Sequence, residues 1–283
     1  MSEKNICLNG KLVTLERPLI MAILNITPDS FFSESRCQTE QKIVDQVSAF
    51  LSEGADIIDI GACSSRPGAT FADEAEELAR LCFALEIVRK NFPSVVVSVD
   101  TFRSSVTKKM VEDYDVALVN DVSGGELDER MFDVVADLGV PYVLTHSKWN
   151  LGEKRNVPSC SDDNFLQEVV CFFAEKIEKL RLLGVNDVIL DLGFGFSKSI
   201  EQNYFLLKNM NLFTKFDVPL LVGVSRKSMI YNVLGISSWE ALNGTSVLNT
   251  LALTQGTNIL RVHDVKEAKE VVNLYQFYKT TNL

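Results

Sequence analysis

Leu19-Ile20-Met21-Ala22-Ile23-Leu24 is a short apolar run that ends abruptly in Asn25. A run this short and this uniformly apolar suits a strand buried on both faces, as in a parallel sheet. Working outward from it, residues 56–60, 95–99, 117–119, 142–145, 188–190, 220–223 and 259–262 repeat the figure to the C-terminus. Longer amphipathic stretches lie between these runs. Residues 73–90 place Ala75, Leu78, Leu81, Cys82, Leu85 and Val88 on one helical face. That stretch opens with Asp73, Glu74, Glu76 and Glu77 and closes with Arg89 and Lys90, which complements the helix dipole. Phe165, Val169, Phe172, Phe173, Lys176, Ile177 and Leu180 trace another helical face, stopped by Gly184. Asp264 with Glu267 predicts a capping box for a last helix. Eight strands in strict alternation with helices predict an α/β fold, a closed (β/α)8 TIM barrel and not an open doubly wound sheet. No linker or compositional break divides the chain, so residues 1–283 read as one domain, with the barrel core at about 18–280 and a short N-terminal lead-in.

Composition narrows the class of partner. The chain has 283 residues, 46% hydrophobic and 23% charged, which is ordinary for a globular protein. Lys+Arg number 28 against 38 Asp+Glu, a net charge of −10. An acidic field repels nucleic-acid phosphate and anionic lipid, so no nucleic acid and no membrane partner is expected. The same balance leaves room for a basic pocket. No apolar run approaches the roughly 18 residues of a membrane span, and the N-terminus lacks a signal peptide's basic start and apolar stretch. The six cysteines, Cys7, Cys37, Cys63, Cys82, Cys160 and Cys171, form no CxxC pair and no zinc spacing with histidine. Dispersed thiols of this kind predict a cytoplasmic protein.

In (β/α)8 barrels the chemistry gathers where strands end and βα loops begin. The apolar runs here deliver Asn25, Asp59 and Gly61, Asp100, Asn120 and Asp121, His146, Asp191, Ser225-Arg226-Lys227, and finally Arg261, His263 and Asp264. Both histidines of the chain are among them. Simple structural uses compete with functional ones. Asp121 and Asp264 suit turns or helix caps, Asp100 with Thr101 could cap the helix beginning near Arg103, and His146 could be a wall residue. Asp191, between Leu190 and Leu192, is harder to explain structurally, because a buried carboxylate needs donors.

Three loops look specialised. Ile26-Thr27-Pro28-Asp29-Ser30-Phe31-Phe32-Ser33-Glu34-Ser35-Arg36 is long, polar and aromatic; Ser64-Ser65-Arg66-Pro67-Gly68-Ala69 presents hydroxyls and a guanidinium; residues 146–164 include Lys148, Trp149, Lys154 and Arg155. Gly193-Phe194-Gly195-Phe196-Ser197-Lys198 is not a Walker loop, but its glycines would let backbone approach a planar ligand with Phe196 as a stacking wall. Asp100, Asn120 and Asp191 form an edge suited to a guanidine-like heterocycle, Lys227 can donate to a ring nitrogen or carbonyl, and Asn25, Arg261 and His263 suit a phosphate or metal-phosphate. A nucleobase-like ring bearing a diphosphate is a self-consistent ligand. No Ser/His/Asp or Cys/His nucleophile stands out, which favours positioning and leaving-group stabilisation over covalent attack.

At these residues the chain resembles the dihydropteroate synthase family. The matching segments are Ile23-Leu24-Asn25-Ile26-Thr27-Pro28-Asp29-Ser30-Phe31, Ser65-Arg66-Pro67-Gly68, Ser98-Val99-Asp100-Thr101, Asn120-Asp121, Asp191, Gly193-Phe194-Gly195-Phe196, Ser225-Arg226-Lys227-Ser228 and Arg261-Val262-His263-Asp264. The resemblance implies a cytoplasmic transferase of folate biosynthesis, a sulfonamide target, that condenses 6-hydroxymethyl-7,8-dihydropterin diphosphate with p-aminobenzoate and releases diphosphate. It implies that Asp100, Asn120, Asp191, Lys227 and Phe196 bind the pterin, with Asp100, Lys227 and Asp191 catalytic. Asn25, Arg261 and His263 would bind diphosphate, Asn25 would ligate Mg²⁺, and Asp29 would help as its loop closes. Ser65, Arg66, Pro67 and Ser228 would bind p-aminobenzoate, and the late helices would form a homodimer. The implied mechanism is dissociative, through a pterin methylene cation.

The chain departs from the family pattern at several points. Thr145 and Ser147 flank His146 where methionines are usual, Leu192 follows Asp191 where Pro is usual, Ser197 replaces a common Gly, and Cys63 stands where Glu or an aromatic is common. Two other readings share the barrel: a pterin-binding methyltransferase-type domain, which would not need the Ser-Arg-Pro-Gly loop, and a non-catalytic pterin-binding paralogue.

Overall fold

In the computed structural model, which describes residues 4–26, 36–63, 72–147 and 162–281, the apolar runs become a closed barrel. An antiparallel hairpin, β1 (Asn5–Leu8) and β2 (Lys11–Thr14), precedes it. The barrel strands are β3 (Leu19–Asn25), β4 (Ile57–Gly61), β5 (Val97–Asp100), β6 (Leu118–Asp121), β7 (Tyr142–Thr145), β8 (Val188–Asp191), β9 (Leu220–Val222) and β10 (Ile259–Val262). They pair in parallel in chain order, and β10 closes the ring against β3. The helices are α1 (Arg36–Glu53), α2 (Glu74–Asn91), α3 (Ser104–Tyr114), α4 (Met131–Leu138), α5 (Asp162–Leu182), α6 (Ile200–Lys208), α7 (Ser228–Leu234), α8 (Leu242–Thr254) and α9 (Val265–Thr280).

Strand alternation divides the core in two. Ile20, Ala22, Leu24, Ile58, Ile60, Val97 and Val99 face outward and pack with helix residues such as Leu81, Leu85, Val169 and Phe173. Leu19, Met21, Ile57, Leu118, Val143, Ile189, Leu221 and Ile259 fill the barrel floor. Each such fully buried aliphatic side chain stabilises the fold by roughly 1.5–3 kcal/mol. Two residues further along these strands, the inward positions change character, to Asp59, Asn120, Thr145, Asp191 and Arg261. The barrel therefore has an apolar floor and a polar roof, and the roof lies at the strands' C-terminal ends.

The N-terminal lead-in is more ordered than the sequence reading expects. Its hairpin turns through Asn9 and Gly10, both at positive φ (50° and 70°), the backbone that an Asn-Gly turn favours. Ile6 and Leu8 join the floor core, so the hairpin plugs the barrel's lower end. The caps divide. Asp73 accepts from the Glu76 amide at 2.8 Å and starts α2 as expected. Asp264 precedes α9 but makes no side-chain cap; the Arg226 guanidinium takes both of its oxygens, at 2.9 and 2.7 Å. Asp100 does not cap α3 either, because its carboxylate meets Arg261.

Candidate active site at the barrel mouth

Strand register assembles the roof. Asn25 pairs with Gly61, Gly61 with Asp100 and Asp100 with Asn120, so four residues from four strands share one row. Gly61 keeps this row open: a Cβ there would lie 3.3 Å from Asp100 Cβ and 3.5 Å from Asn25 Oδ1. Asp191 ends β8 opposite Thr145, and Arg261 rises from β10.

A charge network ties these groups together. Arg261 donates through Nε to Asp59 Oδ2 and through Nη2 to Asp100 Oδ2, each at 2.6 Å. Asn120 Nδ2 donates to the same Asp59 oxygen at 3.0 Å. Asp59 is fully buried, and its other oxygen, Oδ1, has no hydrogen-bond partner among the described residues. Burial opposes the charge of Arg261, but Asp59 and Asp100 outweigh it and hold its pKa above the ordinary value. Burial pushes Asp100 up to about 7, with Asp59 and Asp121 adding to the rise while Arg261 and Lys227 oppose it. Asp191 is likewise raised by burial, against Lys227, the Gly193 amide at 2.8 Å, Arg261 and Lys198. Carboxylates shifted upward beside fixed cations are a common mark of a functional site.

Lys227 and Phe196 form a second wall. The Lys227 ammonium lies 4.3 Å from the centre of the Phe196 ring and also donates to the Phe194 carbonyl. His263 stands at the rim, its Nδ1 3.1 Å from Ser225 Oγ. Desolvation of the ring and then the positive Arg261 lower its pKa to about 4, although the residue as a whole is exposed at the rim. The ring is therefore neutral near pH 7. Ser228 opens α7 immediately after Lys227 and is half-buried.

Several sequence expectations meet simpler structural uses. Asp121 accepts from the Tyr142 hydroxyl at 2.7 Å and from the Ser123 and Gly125 amides at 2.7 and 2.9 Å, as a turn-forming residue does. His146 is buried with its ring edge-on to Phe172, centroids 4.8 Å apart, which is the wall-residue reading. Arg226 is committed to Asp264 and to the carbonyls of Ser238 and Trp239. Asp29, Ser65, Arg66 and Pro67 lie outside the described residues, as do Lys148 and Trp149. The residues flanking segment 64–71 are tied to Arg103, whose Nη2 donates to the Ala72 carbonyl at 2.8 Å and whose Nη1 is 4.0 Å from Cys63 Sγ. Two groups escaped role assignment from sequence. Asp59 interrupts the apolar run Ile57-Ile58-Asp59-Ile60, a signal of a buried paired charge. Lys198 carried no comparable signal.

The sequence pattern of the family described as pterin binding enzyme matches residues 21–263. The dihydropteroate synthase of Escherichia coli strain K12 is 35% identical over 272 residues, covering 94% of this chain and 94% of that protein. A dihydropteroate synthase structure from Xanthomonas albilineans with 4-aminobenzoic acid superposes with a TM-score of 0.87 at 31% identity, covering 99% of this chain and all of that one (100%). One from Coxiella burnetii in complex with pteroic acid gives 0.86 at 29% identity, with the same coverage of 99% and 100%. A closed parallel barrel with this roof, matched over nearly its whole length, is a pterin-binding enzyme. The chain belongs to the dihydropteroate synthase family, and its activity is that family's, a transferase reaction of folate biosynthesis.

Proposed function

We propose that the roof residues divide the reaction between a pterin-binding wall and a diphosphate-binding rim. The observation that carries this is the row Asn25, Gly61, Asp100, Asn120 joined through Asp59 to Arg261. Asp100, Asn120 and Asp191 offer acceptors to the ring's amino and N–H groups, Lys227 donates to its ring nitrogen or carbonyl, and Phe196 lies against it. Asn25, Arg261 and His263 receive the diphosphate. Ser228, with Ser65, Arg66 and Pro67, receives p-aminobenzoate.

In this reading the bond between the pterin methylene carbon and the diphosphate oxygen breaks first, and diphosphate leaves with the electron pair. The ionised carboxylates of Asp100 and Asp191 favour the positive charge that develops on the ring system. Arg261 and His263 favour the negative charge that develops on the leaving group. The p-aminobenzoate nitrogen then bonds to the methylene carbon and gives up a proton. Positioning supplies most of the acceleration, since no side chain needs to form a covalent bond.

Mg²⁺ belongs to this proposal. Asn25 supplies a hard, neutral oxygen donor of the kind Mg²⁺ takes, and the described residues form no cluster of three or more His, Cys, Asp or Glu able to enclose a metal. That donor set suits an ion held by Asn25 and completed by substrate phosphate and water. When bound, the ion would neutralise charge on the diphosphate.

We also propose a homodimer. Val247 and Leu251 on α8 and Leu274, Phe277 and Tyr278 on α9 are large, exposed apolar side chains on two neighbouring helices, as a self-complementary interface requires. A cytoplasmic location fits the free thiols of Cys7, Cys63, Cys82 and Cys171. Calorimetry tests the pterin wall: Asp100→Asn and Lys227→Ala should each weaken pterin diphosphate binding on the order of 100-fold. Unchanged affinity in both variants would overturn the assignment.

A further inference from the structure

Lys198 is buried, with 8% of its surface exposed, just before the capped start of α6. Its ammonium donates to three carbonyl oxygens: His146 at 2.8 Å, Gly193 at 3.0 Å and Phe196 at 3.2 Å. The first belongs to the end of β7 and the other two to the loop after β8. Three carbonyl dipoles aimed at one point repel one another unless a cation sits among them. An ammonium has three donors, enough to serve all three of these carbonyls.

What this ammonium holds is the wall described above. Gly193 passes so close to β7 that a Cβ would lie 2.0 Å from the His146 carbonyl oxygen. Its amide holds Asp191, the next carbonyl along, Phe194, accepts from Lys227, and the Phe196 ring lies under the same Lys227 ammonium. The backbone on the other side is fixed independently, by the Ser199–Gln202 capping box and by Asn203, which accepts from the Gly195 amide at 2.7 Å. Lys198 thus bridges two βα loops from a rigid base.

We propose that Lys198 is a positioning residue of the pterin pocket, its buried ammonium acting as a built-in cation that shapes the 193–196 loop and so aims Asp191, Phe196 and Lys227 at the ring. This rests on the pterin reading of the site; wild-type condensation, measured alongside, tests that reading separately. A displacement of these groups by about 1 Å costs on the order of 100-fold in a positioned reaction.

Lys198→Ala, Lys198→Met and Lys198→Arg are compared for folding by circular dichroism and for KM and kcat with each substrate. Lys198→Ala and Lys198→Met should raise the KM for pterin diphosphate by about 100-fold and leave the KM for p-aminobenzoate within about threefold. Lys198→Arg, which keeps the charge, should recover part of the loss. Ethylammonium ions should restore pterin affinity in Lys198→Ala, measured by calorimetry, and not alter the wild type. If Lys198→Ala does not fold, the same comparison is read from Lys198→Met and Lys198→Arg. A folded variant with unchanged pterin affinity, or an equal rise in both KM values without recovery by arginine or amine, would overturn the proposal.

Discussion

The Arg261 guanidinium and the Asp100 carboxylate meet at 2.6 Å across the barrel mouth. In the proposed reaction one of these residues serves the diphosphate and the other the pterin. The two satisfy each other in this structure, so the proposed substrate would replace the pair with a diphosphate ion pair at Arg261 and hydrogen bonds from the ring to Asp100. Asp59 keeps its own bond to Arg261 through Nε, which would leave the guanidinium anchored while Nη2 is released.

The raised Asp100 pKa has a direct kinetic consequence. In the proposed reaction the ring binds the ionised Asp100 carboxylate, so kcat/KM for pterin diphosphate should fall about tenfold per pH unit below pH 7 and level off above it. Because Arg261 opposes the rise, Arg261→Gln should move this limb to higher pH while lowering kcat. A profile flat from pH 5 to 8 would contradict the role given to Asp100.

His263 should titrate well below an ordinary histidine. Burial and its positive neighbours lower its pKa, so the unfolded chain binds a proton there before the folded one does. Its contribution to stability is fully present above about pH 6.5 and is lost as pH falls toward the lowered value. The chain has 2 histidines, which makes assignment of the imidazole resonances simple. A midpoint at or above 6.5 for His263 would refute this account of the rim.

Ser197 occupies the left-handed region with φ 49°, between Phe196 and Lys198. A non-glycine residue there costs about 1 kcal/mol. Ser197→Gly should therefore raise the denaturant midpoint by an amount worth about 1 kcal/mol, with activity retained. The departure from the family pattern noted at this position thus has a conformational meaning.

Gly193→Ala should act in the opposite sense. Its φ is 66° and a Cβ would collide with the His146 carbonyl, so the loop must shift. We expect a loss of about 3 kcal/mol in stability, combining backbone strain with overpacking. Pterin affinity should fall with it, by calorimetry, because the Gly193 amide holds Asp191.

Much of the barrel was legible in the sequence for one physical reason. Strands buried on both faces must be short apolar runs, and most of the runs here carry a polar residue at or near their C-terminal end, which register brings into the roof at Asn25, Asp59, Asp100, Asn120, Asp191 and Arg261. The hairpin is weakly signalled although Asn9-Gly10 is a turn pair for it, because each flanking strand is only four residues long and β2 is half polar. The pairings were not legible. Arg261 and Asp59 are separated by 202 residues, and Arg226 and Asp264 by 38, so no local pattern announces either bond. Asp264 in particular has the sequence of a cap and the structure of an ion-pair partner. Lys198 has no local sequence signal, because the three carbonyls around it come from two separate βα loops.

In the proposed reaction this roof couples pterin binding to loss of diphosphate and capture of an arylamine. The most direct measurement mixes the purified chain with 6-hydroxymethyl-7,8-dihydropterin diphosphate, p-aminobenzoate and Mg²⁺, and follows dihydropteroate and diphosphate together by mass spectrometry. Wild type should form both products in equimolar amounts, and Asp100→Asn and Lys227→Ala should nearly abolish both. Binding of the pterin without release of diphosphate would contradict the proposed reaction.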